Sequence, residues 1–265
     1  MAFNYWANRV EKTQDILFKK YRKDIDKQMR KYYQKAITQT ISDFEDTYDK
    51  LIATSLAGKQ PTPADLYKLD KYWKMRSQLE KRLTNLGKKQ ISLLTKSFKD
   101  TFWASYKMLG IPSLPSYNTI DDGAVEQLIK QIWCADGKSW STRIWENTNL
   151  LKQTLEEGLL HTVASGKPTS YLKKQLMERF GVSFNRADAL VRTELAHVQT
   201  QAAQQRYKDY GLEEVEILVT KDERLCDICR PHNGEKYPIN AKMPVPFHPR
   251  CRCCVVPVVN IPEEK

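Results

Sequence analysis

Nowhere in these 265 residues does an apolar stretch approach the roughly 18–20 residues of a membrane-crossing helix, and the opening MAFNYWANRVEK lacks a secretory core. We therefore expect a chain made in a reducing cytoplasm, with no membrane partner. Cysteines there serve more often as metal ligands or buried hydrophobes than as disulfides. Internal repeats and low-complexity tracts are also absent, which sets aside solenoids and disordered linkers. The His-Glu-x-x-His of zinc proteases is missing. So is the deaminase order of His-x-Glu before Pro-Cys-x-x-Cys: Glu194-Leu-Ala-His197 runs the wrong way, and Leu225 stands where proline would be. The expectation is a protein without catalytic residues and without a small-molecule substrate.

What is present suits a folded chain. Hydrophobic residues make up 41% and aromatics 10%, enough for one large or two ordinary domains. The net charge of +11 is lopsided: residues 1–120 hold 23 Lys and Arg against 12 Asp and Glu, while residues 121–265 hold 20 against 20. The halves are thus expected to meet different partners, and a basic half suits nucleic acid or an acidic protein face. A solvated, lysine-rich helical surface would account for the same charge.

Periodicity places two long helices in the basic half. The first runs from about Ala7 to Ala57, with Ile16, Phe18, Tyr21, Ile25, Met29, Tyr32 and Tyr33 as its apolar stripe. Ile37, Ile41, Phe44, Tyr48, Leu51 and Ile52 continue it. After Gly58-Lys-Gln-Pro61, Thr62 reads as an N-cap, with Pro63 and Asp65 in the first turn of a second helix reaching about Met108. Together they predict a long N-terminal helical hairpin. Lys19, Lys20, Arg22, Lys23, Lys27, Arg30 and Lys31 on the first helix are the candidate nucleic-acid contacts. The tyrosines among them stand at helical spacing and are read as core.

Shorter helices follow: one from near Asp121, one capped by Ser139 or Ser141, and one from Pro168 closed by Gly181 as a C′ glycine. A long helix then spans Ser183 to Tyr210, ended by Gly211. Strands are expected at Val215–Thr220, at Glu235–Ile239 after an Asn233-Gly234 turn, and at Cys253–Val259. The fold class is mostly α with a small C-terminal α+β zinc-knuckle module. Residues 1–115 form the basic helical region and 116–265 the second domain, with the metal-binding module at about 212–260.

Five of the six cysteines fall between Cys226 and Cys254, together with His248. Soft thiolates and an imidazole at these spacings are what a tetrahedral zinc ion requires. Cys226 and Cys229 form a Cys-x-x-Cys knuckle. His248 and Cys251 repeat its spacing and complete the set, with Cys253 as the alternative to Cys251. Cys254 would face away into the core, and isolated Cys134 is read as a core thiol. One structural zinc is expected, and four protein ligands leave no position for a reactive water. Asp222 and Arg224 flank the knuckle. With Arg192, Glu194 and Arg252 they are candidates to hydrogen-bond the thiolates or balance their charge.

Four elements stand in order along this region: Arg192-Thr193-Glu194, then Asp222-Glu-Arg224-Leu-Cys226-Asp-Ile-Cys229, then Asn233-Gly234, then His248-Pro-Arg-Cys251-Arg252-Cys253. In this the chain resembles the phage head morphogenesis family, the minor head proteins similar to protein F of phage Mu. Gly137-Lys-Ser-Trp140-Ser-x-Arg143-Ile-Trp145 also looks like members from phages of Gram-positive bacteria. The resemblance covers roughly residues 120–258. It implies a minor capsid protein of a tailed bacteriophage virion, made in the host cytoplasm and held in the capsid interior near the portal. Its partners would be the portal protein and other head proteins, with roles in procapsid assembly and in DNA packaging or ejection. The basic helices would then face the portal or double-stranded DNA. The other readings are a zinc-ribbon nucleic-acid-binding protein and, further off, a zinc-dependent hydrolase.

Overall fold

The computed structural model describes residues 2–55, 59–111, 119–219 and 226–259. Among the described residues it has six α-helices and one three-stranded antiparallel sheet near the C-terminus, the mostly α fold with a small α+β module expected from the sequence. No helix there is long and apolar enough to cross a membrane.

Helix α1 spans Ala2–Thr54. Leu17, Ile25, Met29, Tyr33, Phe44, Tyr48 and Leu51 are buried along it at helical spacing. Two members of the expected stripe point outward instead: Ile16 is 57% exposed and Ile52 47%. Each sits beside a leucine, and neighbours about 100° apart on a helix cannot both occupy the centre of one stripe. Leu17 and Leu51 take the inward places.

Thr62 caps α2 (Pro63–Tyr67) in a full capping box with Asp65. The single helix expected from there to Met108 is in fact two, because the chain breaks at Lys68–Leu69 before α3 (Asp70–Met108). Trp73 holds the break: its indole N–H donates to the Tyr67 carbonyl at 2.9 Å, satisfying an orphan acceptor at the end of α2.

The chain divides into two compact units. One comprises Met1–Ile25, Leu93–Gly137 and Ala189–Lys265, the other Asp26–Ser92 and Lys138–Asp188. Both draw on residues from either side of position 115. In the first, Arg9 donates to the Gly110 carbonyl at 2.6 Å and Tyr21 to that of Asp100 at 3.2 Å, so α1 and α3 run antiparallel there. In the second, Arg82 reaches Asp43 at 2.6 Å and the Tyr33 hydroxyl reaches the Gln90 side-chain carbonyl oxygen at 3.5 Å, in the same sense.

Asp121 caps α4 (Asp122–Lys130) and Ser139 caps α5 (Trp140–Ala164), each side chain accepting a backbone N–H of the first turn. Helix α6 then runs unbroken over Thr169–Asp209. This corrects the expected stop at Gly181. Leu172, Leu176, Phe180, Ser183, Ala187, Val191 and Leu195 are all buried, in steps of three or four residues that carry the stripe straight past the glycine. A mid-helix glycine costs about 1 kcal/mol relative to alanine. Burying one leucine or phenylalanine returns about 1.5–3 kcal/mol, so the stripe wins.

Past Gly211 the period changes. Strands β1 (Glu214–Leu218), β2 (Lys236–Pro238) and β3 (Cys254–Pro257) pair antiparallel in the order β2-β1-β3. Val215 faces Tyr237 on one side and Pro257 on the other. Gly234 takes a φ of +85°, and the side chain of Asn233 accepts the N–H of Val219 at 3.1 Å. Val215, Ile217, Val255 and Val256 form a core with Val10 of α1 and Tyr207 of α6, so the small sheet is built onto long helices of its own unit.

Candidate metal centre

Two turns carry the donors. Cys226–Cys229 is closed by the Cys229 and Arg230 N–H groups, both donating to the Cys226 carbonyl at 3.2 Å, and a 3-10 turn over Arg230–His232 follows. His248–Cys251 is closed by the Cys251 N–H donating to the His248 carbonyl at 3.1 Å, just ahead of β3. At its tip Arg250 holds a φ of +66°, a left-handed conformation unfavourable for a side-chain-bearing residue.

The sulfur and nitrogen atoms converge in two triads that share Cys229: Cys226, Cys229 and His248 form one, and Cys229, Cys251 and Cys253 the other. His248 Nε2 lies 3.1 Å from both Cys226 Sγ and Cys229 Sγ, and Cys229 Sγ lies 3.8 Å from Cys251 Sγ. Two thiolates each about 2.3 Å from one tetrahedral zinc stand about 3.8 Å apart, and a sulfur–nitrogen edge is about 3.5 Å. The sulfur edge fits, and the nitrogen contacts are slightly tighter. The cluster could hold a metal ion.

The imidazole is presented in a usable form. His248 Nδ1 lies 2.9 Å from the Pro249 carbonyl, and donating its proton there leaves the lone pair on Nε2, the nitrogen that faces the thiols. Burial pulls the His248 pKa down, but the Pro249 contact and the Cys251 and Cys226 sulfurs raise it overall. Cys251 is pulled down to about 5, chiefly by a hydrogen bond from Cys253. Cys229 is pushed up to about 12, first by burial. Cys226 is lowered, mainly by Cys229. Cys253 is raised by its bond to Cys251. The contact between Cys251 and Cys253 thus favours the charged form on Cys251 over Cys253.

Cys254 lies in β3, buried in the sheet core and outside both triads. His232 is turned elsewhere: its Nδ1 meets Glu235 at 2.8 Å and its ring stacks on Phe247 at 4.3 Å.

Among the expected surrounding groups, Asp222 and Arg224 lie outside the described residues. Arg252 pairs with Asp15 of α1 at 3.1 Å. Glu194 is buried on α6 and accepts the indole N–H of Trp133 at 3.0 Å. Arg192 sits two residues before it on the same helix, half-buried. Thr193, between them, accepts the N–H of Arg250 at 3.1 Å and so ties α6 to the His248–Cys251 turn. Sequence reasoning placed this threonine in the Arg-Thr-Glu motif without giving it a role, and missed Trp133 and Gln204. Gln204 donates to the Ile239 and Ala241 carbonyls at 2.5 and 2.8 Å, bracing the loop after β2. Trp133 stacks on His197 at 4.3 Å. Neither spacing nor composition marks these residues; only the fold brings their partners near.

Of the basic candidates, Lys19, Lys20, Lys23, Lys27, Arg30 and Lys31 are exposed, and Arg22 is half-buried. Lys19 pairs with Asp15 at 2.5 Å and Arg30 with Asp26 at 2.8 Å. Such exposed pairs are worth little and stay open to exchange with other anions.

What these donors define is a thiolate–imidazole centre on paired turns, braced by a long helix. The family model described as Phage Mu protein F like protein matches residues 153–256, which contain the Arg-Thr-Glu helix, both turns and nearly all of the sheet. The match bears out the resemblance carried by those motifs and suggests a phage head protein, a virion component associated with other head proteins. It leaves residues 1–152 outside, including the Gly137–Trp145 motif. No curated protein and no solved structure gave a match.

Proposed function

We propose that this is a structural minor capsid protein of a tailed bacteriophage, acting in procapsid assembly near the portal and in DNA packaging or ejection. The observation behind this reading is that the thiol and imidazole donors converge within the residues that match the family. Cys226, Cys229, His248 and Cys251 are the proposed ligands of one zinc ion. Zinc is the favoured metal because three soft sulfurs and an imidazole suit it. When bound, the ion would cross-link the two turns and so contribute to folding. Four protein ligands leave no open position for catalysis, so the role proposed is structural.

Co-purification of the full chain with its portal protein tests the placement at the portal. Retention on tagged portal, lost when zinc is stripped, is the expected result. No retention in either state would remove the portal from the proposal.

The exposed face of α1 favours DNA as a second partner. Deleting the basic half is a poor test, because Val10, Met29 and Phe44 of α1 are core residues. Reversing Lys19, Lys20 and Lys23 to Glu leaves that core intact. DNA binding that weakens in this variant, with a shallower salt slope, is expected. Unchanged binding would remove the DNA contact from this face.

A further inference from the structure

The groove between α5 and α6 in the second compact unit belongs to neither the metal centre nor the basic face. It is a cavity of about 350 Å³ with more apolar than polar wall. Its lining follows helical spacing on both sides: Asn147, Leu150, Leu151 and Thr154 on α5, and Gln175, Glu178, Arg179, Val182, Ser183 and Arg186 on α6, where the Glu178 carboxylate accepts from the Gln175 amide at 3.3 Å. Two faces of this kind, side by side, are the shape into which a third helix lays its own i, i+3, i+4, i+7 face.

Three further observations say what that helix would carry. Leu150 and Val182 line the groove while 38% and 51% exposed, so large aliphatic groups stand open to water. Arg179 and Arg186 also line it, and among the described residues neither has an acidic partner. Arg179 lies close over Gly158 of α5: a Cβ added there would come within 3.2 Å of its Nε, so the glycine makes room for the guanidinium. Its Nε is buried without a hydrogen-bond partner, as is Oδ1 of Asn147, whose amide is pinned by donating to the Ser183 carbonyl at 2.9 Å.

We propose that this groove docks an amphipathic helix of a partner protein carrying carboxylates at i and i+7 on either side of an apolar anchor. Arg179 and Arg186 are seven residues apart, about 10.5 Å along the helix axis. Carboxylates two turns apart on the incoming helix match that spacing, and aliphatic side chains at i+3 and i+4 cover Leu150 and Val182. Arginine flanking a desolvated aliphatic pocket is the composition expected at the energetic centre of an interface. The inference depends on neither the metal nor the phage reading.

The test is fluorescence anisotropy of the full chain with a labelled alanine-based helical peptide bearing Glu at i and i+7 and Leu at i+3 and i+4. A peptide with Lys in place of Glu is the control. Saturable binding of the Glu peptide is expected, weakened at least tenfold by Arg186→Glu and by Val182→Asp. Both positions are exposed, so circular dichroism should show both variants folded. Arg186→Glu should also bind the Lys peptide better than the wild type does. The proposal is overturned if the Glu peptide does not saturate, if both peptides bind wild type equally, or if both variants bind as wild type. Displacement of the peptide by an oligothymidylate would assign the groove to nucleic acid instead. Self-association abolished by Val182→Asp would assign it to a second copy of this chain.

Discussion

Thr193 on α6 and Arg250 in the His248–Cys251 turn meet through one hydrogen bond, the Arg250 N–H donating to Thr193 Oγ1 at 3.1 Å. The threonine hydroxyl itself donates to the Ala189 carbonyl at 2.8 Å, so its oxygen is oriented by its own helix. Arg250 sits at a φ of +66° between two donor-bearing residues, His248 and Cys251. The bond therefore holds a strained residue in place and fixes the spacing of two candidate metal donors. Thr193→Val keeps the shape and removes the acceptor. We expect it to lower stability by about 1 kcal/mol and to weaken metal affinity roughly tenfold, with Thr193→Ser close to wild type. Arg250→Gly relieves the backbone and should raise stability by about 0.5 kcal/mol. Urea midpoints at constant m-value check both, and a Thr193→Val midpoint equal to wild type would show that the bond carries nothing.

Metal content tests the proposed four-ligand set, which draws on both triads. Cys226→Ser, Cys229→Ser and Cys251→Ser are each expected to lose the ion and to melt at the temperature of chelator-treated wild type. Cys253→Ser and Cys254→Ser are expected to keep it. The reason for separating Cys251 from Cys253 is that the three-residue step from His248 to Cys251 repeats the step of the Cys226–Cys229 knuckle. Elemental analysis of the purified variants decides the matter. Loss of metal in Cys253→Ser with retention in Cys251→Ser would exchange their roles.

Gly181 gives a prediction that concerns the helix alone. It is exposed, lies inside α6, and a Cβ built there meets nothing within 4 Å. Gly181→Ala should therefore stabilise the protein by about 0.5–1 kcal/mol through helix propensity and a less flexible unfolded chain. A thermal melt reads this directly. Destabilisation would mean that the break read from the sequence at this glycine has a counterpart in solution.

The same glycine shows what was legible in the sequence. Local signals with one cause were readable: Thr62 caps a helix start where a cap was expected, and Ser139, one of the two candidates there, caps α5, because a short oxygen-bearing side chain at the start of an apolar period has few other uses. The gathering of Cys226, Cys229, His248, Cys251 and Cys253 was readable because a Cys-x-x-Cys and a His-x-x-Cys step each bring two donors onto one turn. Signals with two causes were not. Gly181 looked like a stop because the residue type is shared by C-caps and exposed helix faces, and only the buried stripe decides between them. Trp133, 61 residues from its partner Glu194, left no trace at all, since nothing local to it records what folds against it.

His197 supplies the pH dependence. It is buried on α6 against Trp133, and burial, helped by the nearby charge of Lys242, pulls its pKa down to about 4 from an ordinary value of 6.5. A contact with the Val245 backbone opposes this shift without reversing it. In the unfolded chain the imidazole takes up a proton as pH falls through about 6.5, whereas in the folded protein it stays neutral until about 4. Between those values the unfolded state binds more protons, so stability falls with pH. The slope from this one group approaches about 1.4 kcal/mol per pH unit, summing to about 3 kcal/mol by pH 4. Metal release and other carboxylates add slopes of their own, so the informative quantity is a difference. His197→Gln should cost stability at pH 7.5 through the lost ring stacking, and the gap to wild type should narrow steadily below pH 6.5. Chemical denaturation of both proteins at intervals from pH 7.5 to 4.5 measures that gap. A gap constant over the whole range would mean that His197 takes up its proton in the folded protein as readily as in the unfolded chain.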